Sequence, residues 1–184
     1  DLPKANEPEE PSEDYQRFLG LCSHEYFHSW LVKFIRPENF VNYDLNKEGY
    51  TSLLWIFEGF TSYYDDLILL RSGVISQASY LDLLKAQIDR YLQNSGRFVQ
   101  TVAESSFDAW IKFYRQDENS NDAGTSYYNK GCLVALCLDL GLRLRGSSLD
   151  ALMRQLYANA QQGIQVNERT IFELCQQLTG DSWL

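Results

Sequence analysis

The distribution of proline constrains the fold of this chain more than any other feature of its sequence. All four prolines lie within the first 37 of 184 residues. Proline removes a backbone donor and breaks helix interiors, so the long proline-free remainder permits helices throughout. The apolar-polar alternation that is typical of strands is scarce. We therefore predict a mainly α-helical fold.

Apolar periodicity and capping residues divide the chain into predicted elements. Ser12 is the expected N-cap of the first helix, Asn167 the cap of the last, and Gly180 its stop. Residues 99–114 fit neither a helix nor a strand pattern, and residues 115–126 are expected to form a polar loop. Apolar residues cover most of the circumference of the first helix, which predicts a buried central helix. The predicted helices span residues 13–31, 52–70, 77–92, 127–144, 149–160 and 168–178, with a short strand at 40–43.

Length and composition favour one domain. A chain of 184 residues can bury a hydrophobic core, and no linker divides it. Residues 1–12 are acidic and proline-rich, so we expect a flexible or surface-draped lead-in ahead of a helical core at residues 13–184. Because the chain opens on Asp1 rather than Met, we expect it to be a fragment of a larger protein.

The net negative charge of the chain disfavours one class of partner. Lys and Arg number 16 against 25 Asp and Glu, which argues against nucleic acid as a partner.

No apolar run is long enough to span a bilayer, so a soluble chain is expected, and both cytoplasm and periplasm fit. The cysteines form no CxxC pair, and we expect four buried free thiols at Cys22, Cys132, Cys137 and Cys175.

The run His24-Glu25-Tyr26-Phe27-His28 is an HExxH motif inside the first predicted helix. Residues at i and i+4 share a helix face, so the two imidazoles can bind one zinc ion. Glu25 lies about 100° further round and can act as a general base towards a water. The alternative is a helix with two satisfied histidines and a surface glutamate. These are the only two histidines of the chain, and burying them without partners would be costly.

A catalytic zinc site needs a third protein ligand, and Glu58 is the candidate. It lies in the apolar segment LWIFEGFTSYY, where an unpaired carboxylate is costly; the alternative is pairing with Lys or Arg. The adjacent Gly59 costs a helix about 1 kcal/mol relative to alanine, which indicates close approach of another backbone or a substrate. We predict one Zn²⁺ per chain, held by His24, His28 and Glu58.

HEYFHSWLVKFIRP followed by LWIFEGFTSYY resembles the glycyl aminopeptidases, thermolysin-like zinc peptidases (gluzincins) that often also carry a PDZ domain. The resemblance covers residues 21–144. It implies the helical part of a thermolysin-like catalytic domain, acting on peptides as an aminopeptidase in the full-length protein. It also implies that a tyrosine ahead of a Lys-Gly pair stabilises the oxyanion. That position falls on Tyr128, before Lys130 and Gly131, with Tyr127 as the alternative.

One segment of the family pattern is missing from this sequence. The Gly-Gly-x-Glu-His segment, whose glutamate is expected to bind the free amine of the substrate, has no counterpart here because the chain contains no Gly-Gly. We therefore expect missing parts of the parent protein to complete the substrate cleft. Carboxylates usually orient metal-binding histidines. Asp65 and Asp66 are candidates, and a solvated acidic surface is an equal alternative.

Three functions compete. The leading hypothesis is zinc-dependent peptide hydrolysis with Glu25 as base and Tyr128 as oxyanion donor. The second is a zinc-binding but inactive domain that recognises proteins or peptides. The third is a helical interaction module without metal. It would make the placement of the two histidines, Glu25, Glu58 and Tyr128 a coincidence.

Overall fold

A computed structural model describes residues 11–114 and 120–183, apart from the side chain of Asn121. Within these ranges the protein is mainly helical and contains no strand, only isolated bridges between residues 31 and 35 and between residues 37 and 166. The helices are α1 (Glu13–Phe27), α2 (Leu54–Phe57), α3 (Gly59–Arg71), α4 (Gln77–Gln93), α5 (Val102–Phe107), α6 (Ser120–Ala123), α7 (Tyr127–Arg143), α8 (Leu149–Gln161) and α9 (Thr170–Thr179). The mainly α prediction is confirmed.

The predicted strand at residues 40–43 is wrong. A 3₁₀ helix, Glu38–Phe40, occupies this region, and the Val41 amide donates to the Glu38 carbonyl. A second 3₁₀ helix, Ser95–Phe98, follows α4. Residues 99–114, left open by the sequence, contain α5 and a π-helical turn, Ala109–Phe113.

Several predicted helix limits need correction. Helix α1 ends at Phe27, short of residue 31. Turns follow at residues 28–30, and Val32, with φ 129°, lies outside the helical region of the backbone. The predicted helix 52–70 is broken at Glu58 into α2 and α3. The predicted loop 115–126 contains α6 in its described part, and residues 115–119 lie outside the described residues.

The capping predictions are mostly confirmed. The Ser12 hydroxyl accepts from the Tyr15 amide at the start of α1, and Gly180 ends α9 in the left-handed conformation with φ 68°. The N-cap of α9 is Arg169 rather than Asn167. Asn167 still organises this end, because its Oδ1 accepts from the Arg169 amide at 3.0 Å.

The core lies between α2, α3, α7, α8 and α9, where large apolar side chains such as Phe57, Phe60 and Leu142 are fully buried. Helices α3 and α7 approach so closely that a Cβ on Gly59 would lie 2.5 Å from the Gly131 Cα. The close backbone approach predicted at Gly59 is confirmed.

Helix α1 packs on α3, with the Phe27 and Tyr64 rings 4.9 Å apart, but it is not the buried central helix that was predicted. Phe18, Leu21 and Tyr26 are 55%, 56% and 68% exposed. We call these three side chains the outer face of α1. Each of them stays more than half exposed.

The four cysteines are free, as predicted, but only two are buried. Cys132 and Cys175 lie in the core, whereas the expected burial of Cys22 and Cys137 is wrong, since both are exposed. Among the described residues, no helix combines the length and apolar character needed to cross a bilayer. The single-domain assignment stays a prediction, and most of the expected lead-in, residues 1–10, lies outside the described residues.

Candidate metal centre

The three predicted ligands meet at the junction of α1, α2 and α3. His24 lies in the last turn of α1, His28 caps its C-terminus, and Glu58 occupies the break between α2 and α3. The Glu58 Oε2 lies 3.2 Å from the His24 Nε2 and 3.3 Å from the His28 Nε2. One ligand atom from each residue lies within 4.8 Å of the others, and within the described ranges no other His, Cys, Asp or Glu group is arranged in this way.

Both imidazoles are held through their Nδ1 atoms. The His24 Nδ1 lies 3.1 Å from the Asp65 Oδ2, and the His28 Nδ1 lies 2.9 Å from the Leu31 carbonyl oxygen. A carboxylate and a carbonyl oxygen only accept, so each Nδ1 carries the proton. Each Nε2 is left directed at Glu58 and available as a metal ligand. The donor set of two imidazole nitrogens and one carboxylate oxygen fits zinc.

The electrostatics favour a charged cluster in the metal-free chain. Burial opposes the charged form of His24, but hydrogen bonds with Asp65 and Glu58 outweigh it and raise the His24 pKa to about 9. Burial likewise opposes ionisation of Glu58, yet the two histidines lower the Glu58 pKa to about 2. Burial also opposes the charged form of His28, but the hydrogen bonds with Glu58 and the Leu31 carbonyl and the charge of Glu58 together outweigh it and raise the His28 pKa. A metal cation would therefore replace imidazole protons next to a carboxylate that is already ionised.

The structure distinguishes between the two acidic candidates that follow Glu58. Asp65 contacts His24, whereas the Asp66 carboxylate faces α1 near Gly20, with Oδ1 3.5 Å from a Cβ built there. Burial, and next the charge of Asp65, raise the Asp66 pKa to about 7. Asp65 is thus the carboxylate that orients a histidine.

Glu25 and Tyr128 lie on different helices, Glu25 next to His24 in sequence and Tyr128 near His24 in space. Glu25 follows His24 directly and its side chain is exposed. Tyr128 is the second residue of α7, and its ring centroid lies 6.2 Å from that of His24. Burial, followed by the charge of Glu58, raises the Tyr128 pKa. The neighbouring Tyr127 is only 1% exposed and packs against Phe113.

The residues after Tyr128 hold the start of α7 in place. The Lys130 ammonium donates to the carbonyl oxygens of Arg97 and Gln100, both at 3.0 Å, and Gly131 supplies the flat surface on which Gly59 packs. The sequence analysis used the Lys-Gly pair only to locate the tyrosine ahead of it. The sequence did not reveal that Lys130 anchors α7, because its carbonyl partners lie about 30 residues away in the chain.

Comparison with known proteins agrees with this geometry. A sequence profile of M61 glycyl aminopeptidases matches residues 17–134, which include every residue of the candidate centre. The chain belongs to the M61 glycyl aminopeptidase family. The family resemblance drawn from HEYFH and FEGFT is therefore confirmed.

A solved relative shows the same fold. The crystal structure of an aminopeptidase N family protein from Idiomarina loihiensis shares 44% sequence identity with this M61 chain and superposes with a TM-score of 0.88 over 94% of it. The M61 chain spans only 30% of the length of that protein. No curated protein matches the chain. The mainly helical fold, as the helical part of a peptidase catalytic domain, is confirmed.

Proposed function

We propose that this M61 chain carries the metal centre of a zinc-dependent peptidase that acts as an aminopeptidase in its full-length form. The observation that supports this most directly is the convergence of His24, His28 and Glu58 with both Nδ1 atoms already occupied. Two partly buried imidazoles face one partly buried carboxylate, an arrangement that is suited to binding a cation between them. Lys or Arg pairing was the alternative for Glu58, and its ion-pair partners among the described residues are the two histidines.

His24, His28 and Glu58 would hold one zinc ion and leave a coordination position free for substrate. When bound, zinc supplies a Lewis acid that polarises the scissile carbonyl and stabilises the developing negative charge. The protein contributes the orientation of the ligands. Asp65 and the Leu31 carbonyl fix the two rings, so that the ligand atoms are arranged before the metal arrives.

Glu25 and Tyr128 would perform the proton chemistry. The Glu25 carboxylate is exposed beside His24, so it can take a proton from the attacking water and pass it to the leaving amine. The Tyr128 phenol keeps its proton at neutral pH, because its pKa is raised. It can therefore donate a hydrogen bond to the oxyanion, a contribution of about 3 kcal/mol when a comparable donor is removed.

We further propose that other segments of the full-length enzyme complete the substrate cleft and bind the free amine. Two observations support this. The outer face of α1 places apolar side chains in the open on the same helix as Glu25, and the solved relative is much longer than this chain. The specificity for peptide side chains would then depend on walls outside residues 1–184.

Replacement of Glu25 by glutamine tests the proposal in the full-length enzyme. Glutamine keeps the shape of the side chain but accepts no proton, so we expect zinc content to stay at the wild-type value while kcat falls about 10²–10⁴-fold. Elemental mass spectrometry and a peptide-hydrolysis assay measure the two quantities. Glu13→Gln, an exposed glutamate in the first turn of the same helix, is the matched control and should change neither.

Retained turnover in Glu25→Gln would exclude Glu25 as the base, and loss of zinc would show that it acts on the metal instead. A wild-type enzyme that binds zinc but hydrolyses no peptide would favour the inactive, peptide-recognising alternative.

A further inference from the structure

An aromatic cluster connects the candidate metal centre to the segment before α7. Its members are Phe113, Tyr114, Tyr127 and Tyr128. The Phe113 ring lies 4.8 Å from the Tyr127 ring and 5.6 Å from the Tyr128 ring, and the Tyr128 ring reaches His24. Phe113 ends the π-helical turn Ala109–Phe113, a rare kind of turn that occurs frequently at functional sites.

The two tyrosines of the cluster are arranged unusually. Consecutive helix residues point about 100° apart and do not normally face each other. The Tyr127 and Tyr128 rings nevertheless stack, with centroids 4.7 Å apart and planes at 30°. Both lie in the first turn of α7, and the Tyr127 ring contacts the rings of both Phe113 and Tyr128.

Tyr127 is neither a proposed zinc ligand nor the proposed oxyanion donor. It is almost fully buried, and a buried hydroxyl without a partner would cost free energy. Burial, and next a hydrogen bond with Tyr114 and the charge of Tyr128, raise the Tyr127 pKa. A hydrogen bond with Tyr128 adds a smaller effect in the same direction. The Tyr127 hydroxyl is therefore neutral and interacts with Tyr114 and Tyr128.

Hydrogen bonds at Thr125 and Ser126 hold the backbone that leads into Tyr127. The Ser126 hydroxyl accepts from the Asn129 amide at 3.3 Å, and the Thr125 amide donates to the Gln100 Oε1 at 3.0 Å. The Ser105 hydroxyl also donates to the Thr125 carbonyl. A ring anchored by these bonds can hold a neighbouring ring in one orientation.

We propose that Tyr127 is a positioning residue, whose stacked ring and hydroxyl hold the Tyr128 phenol beside His24 in the orientation that donates to the substrate. This inference rests on the proposed function. A phenol oxygen can accept one hydrogen bond while donating its own proton elsewhere, so contact with Tyr127 leaves the Tyr128 proton free for the substrate oxygen. Fixing the donor in advance lowers the cost of ordering it in the transition state.

Tyr127→Phe tests the inference in the zinc-loaded, full-length enzyme, because it keeps the ring and removes only the hydroxyl. Loss of one neutral hydrogen bond predicts a decrease in kcat of about 3–10-fold, with KM and zinc content unchanged. The affinity for a phosphinate peptide, whose tetrahedral oxygens imitate the oxyanion, should fall by a similar factor in calorimetric titration. In a Tyr128→Phe background, the second substitution should change neither quantity further.

Tyr63→Phe is the matched control. The Tyr63 hydroxyl is also buried, but it donates to the Asp139 Oδ2 at 2.7 Å in the core. We expect this variant to melt at a lower temperature with kcat and phosphinate affinity unchanged.

Two results would overturn the inference while the proposed function stands. One is wild-type kcat and phosphinate affinity in Tyr127→Phe when Tyr128→Phe lowers both. The other is an equal loss on Tyr127→Phe whether or not Tyr128 is present. If Tyr128→Phe itself changes nothing, the oxyanion role of Tyr128 in the proposed function fails, and the positioning role fails with it.

Discussion

At the residue scale, the candidate centre depends on how two imidazole rings are turned. The HExxH spacing predicted which residues share a face, since i and i+4 positions always do. It could not predict which acidic residue orients His24, because Asp65 and Asp66 differ by about 100° around α3. The rotation of α3 against α1 decides this, and that rotation is set by packing between residues far apart in sequence.

Asp65→Asn tests the orientation of His24. An amide keeps the size of the side chain but cannot act as a charged acceptor for the Nδ1 proton, so we expect zinc affinity to fall about 10–100-fold. Competition with a fluorescent zinc chelator measures the change. Asp66→Asn is the matched control, because it alters the adjacent carboxylate that faces Gly20, and its zinc affinity should stay within about threefold of wild type. Equal losses of zinc affinity in both variants would mean that the negative charge of this region, rather than the hydrogen bond between Asp65 and His24, strengthens zinc binding.

Zinc affinity should depend on pH through His24. Its pKa is raised to about 9 in the metal-free chain, so zinc must displace a proton at any pH below that value. Glu58, with a pKa of about 2, is already ionised and adds no pH dependence above pH 4. We expect affinity to rise about tenfold per pH unit between pH 6 and 8 for each proton released.

Calorimetric titration in buffers of different ionisation enthalpy counts the released protons. At pH 7 we expect at least one proton per zinc ion. A zinc affinity that is constant between pH 6 and 8, with no proton release, would contradict the ion-paired state of His24.

At the element scale, the helix break at Glu58 positions the third ligand. The sequence predicted one helix over residues 52–70, because the apolar pattern continues without interruption. The backbone at Glu58 instead has φ −96°, between α2 and α3. Gly59 begins α3 against Gly131, and only glycine at both positions lets the two helices approach so closely. The sequence indicates that another backbone approaches Gly59, but it does not identify that backbone as the one at Gly131.

Gly59→Ala should destabilise the protein and the site together. Its Cβ would lie 2.5 Å from the Gly131 Cα, which is backbone and cannot yield like a side chain. We expect a net loss of about 2 kcal/mol or more in the free energy of unfolding, despite the better helix propensity of alanine. Urea denaturation measures the loss, and weaker zinc binding should accompany it.

Gly20→Ala is the matched control in α1. Its Cβ would lie 3.5 Å from the Asp66 Oδ1, an ordinary contact, so the helix gain of up to about 1 kcal/mol should remain. A Gly59→Ala variant as stable as Gly20→Ala would show that α3 and α7 are not held at this separation.

At the scale of the whole molecule, the sequence predicted the fold class and the family but misjudged the surroundings of α1. Apolar residues around most of a helix indicate burial, yet the pattern does not say what covers them. In the described chain α3 covers one side, while the outer face of α1, Phe18, Leu21 and Tyr26, stays exposed. Burial is a property of the assembled molecule, so local periodicity could not settle it.

The most direct test of the central claim is the zinc content of the purified chain, compared with that of His28→Ala and Glu58→Ala. Elemental mass spectrometry after equilibration with excess zinc and removal of unbound metal gives the stoichiometry. The three-ligand site predicts about one zinc per chain in the wild type and a strong loss in both variants, with circular dichroism confirming that they stay helical. Variants that retain wild-type zinc, or a wild-type chain that takes up none, would contradict a centre built from His24, His28 and Glu58.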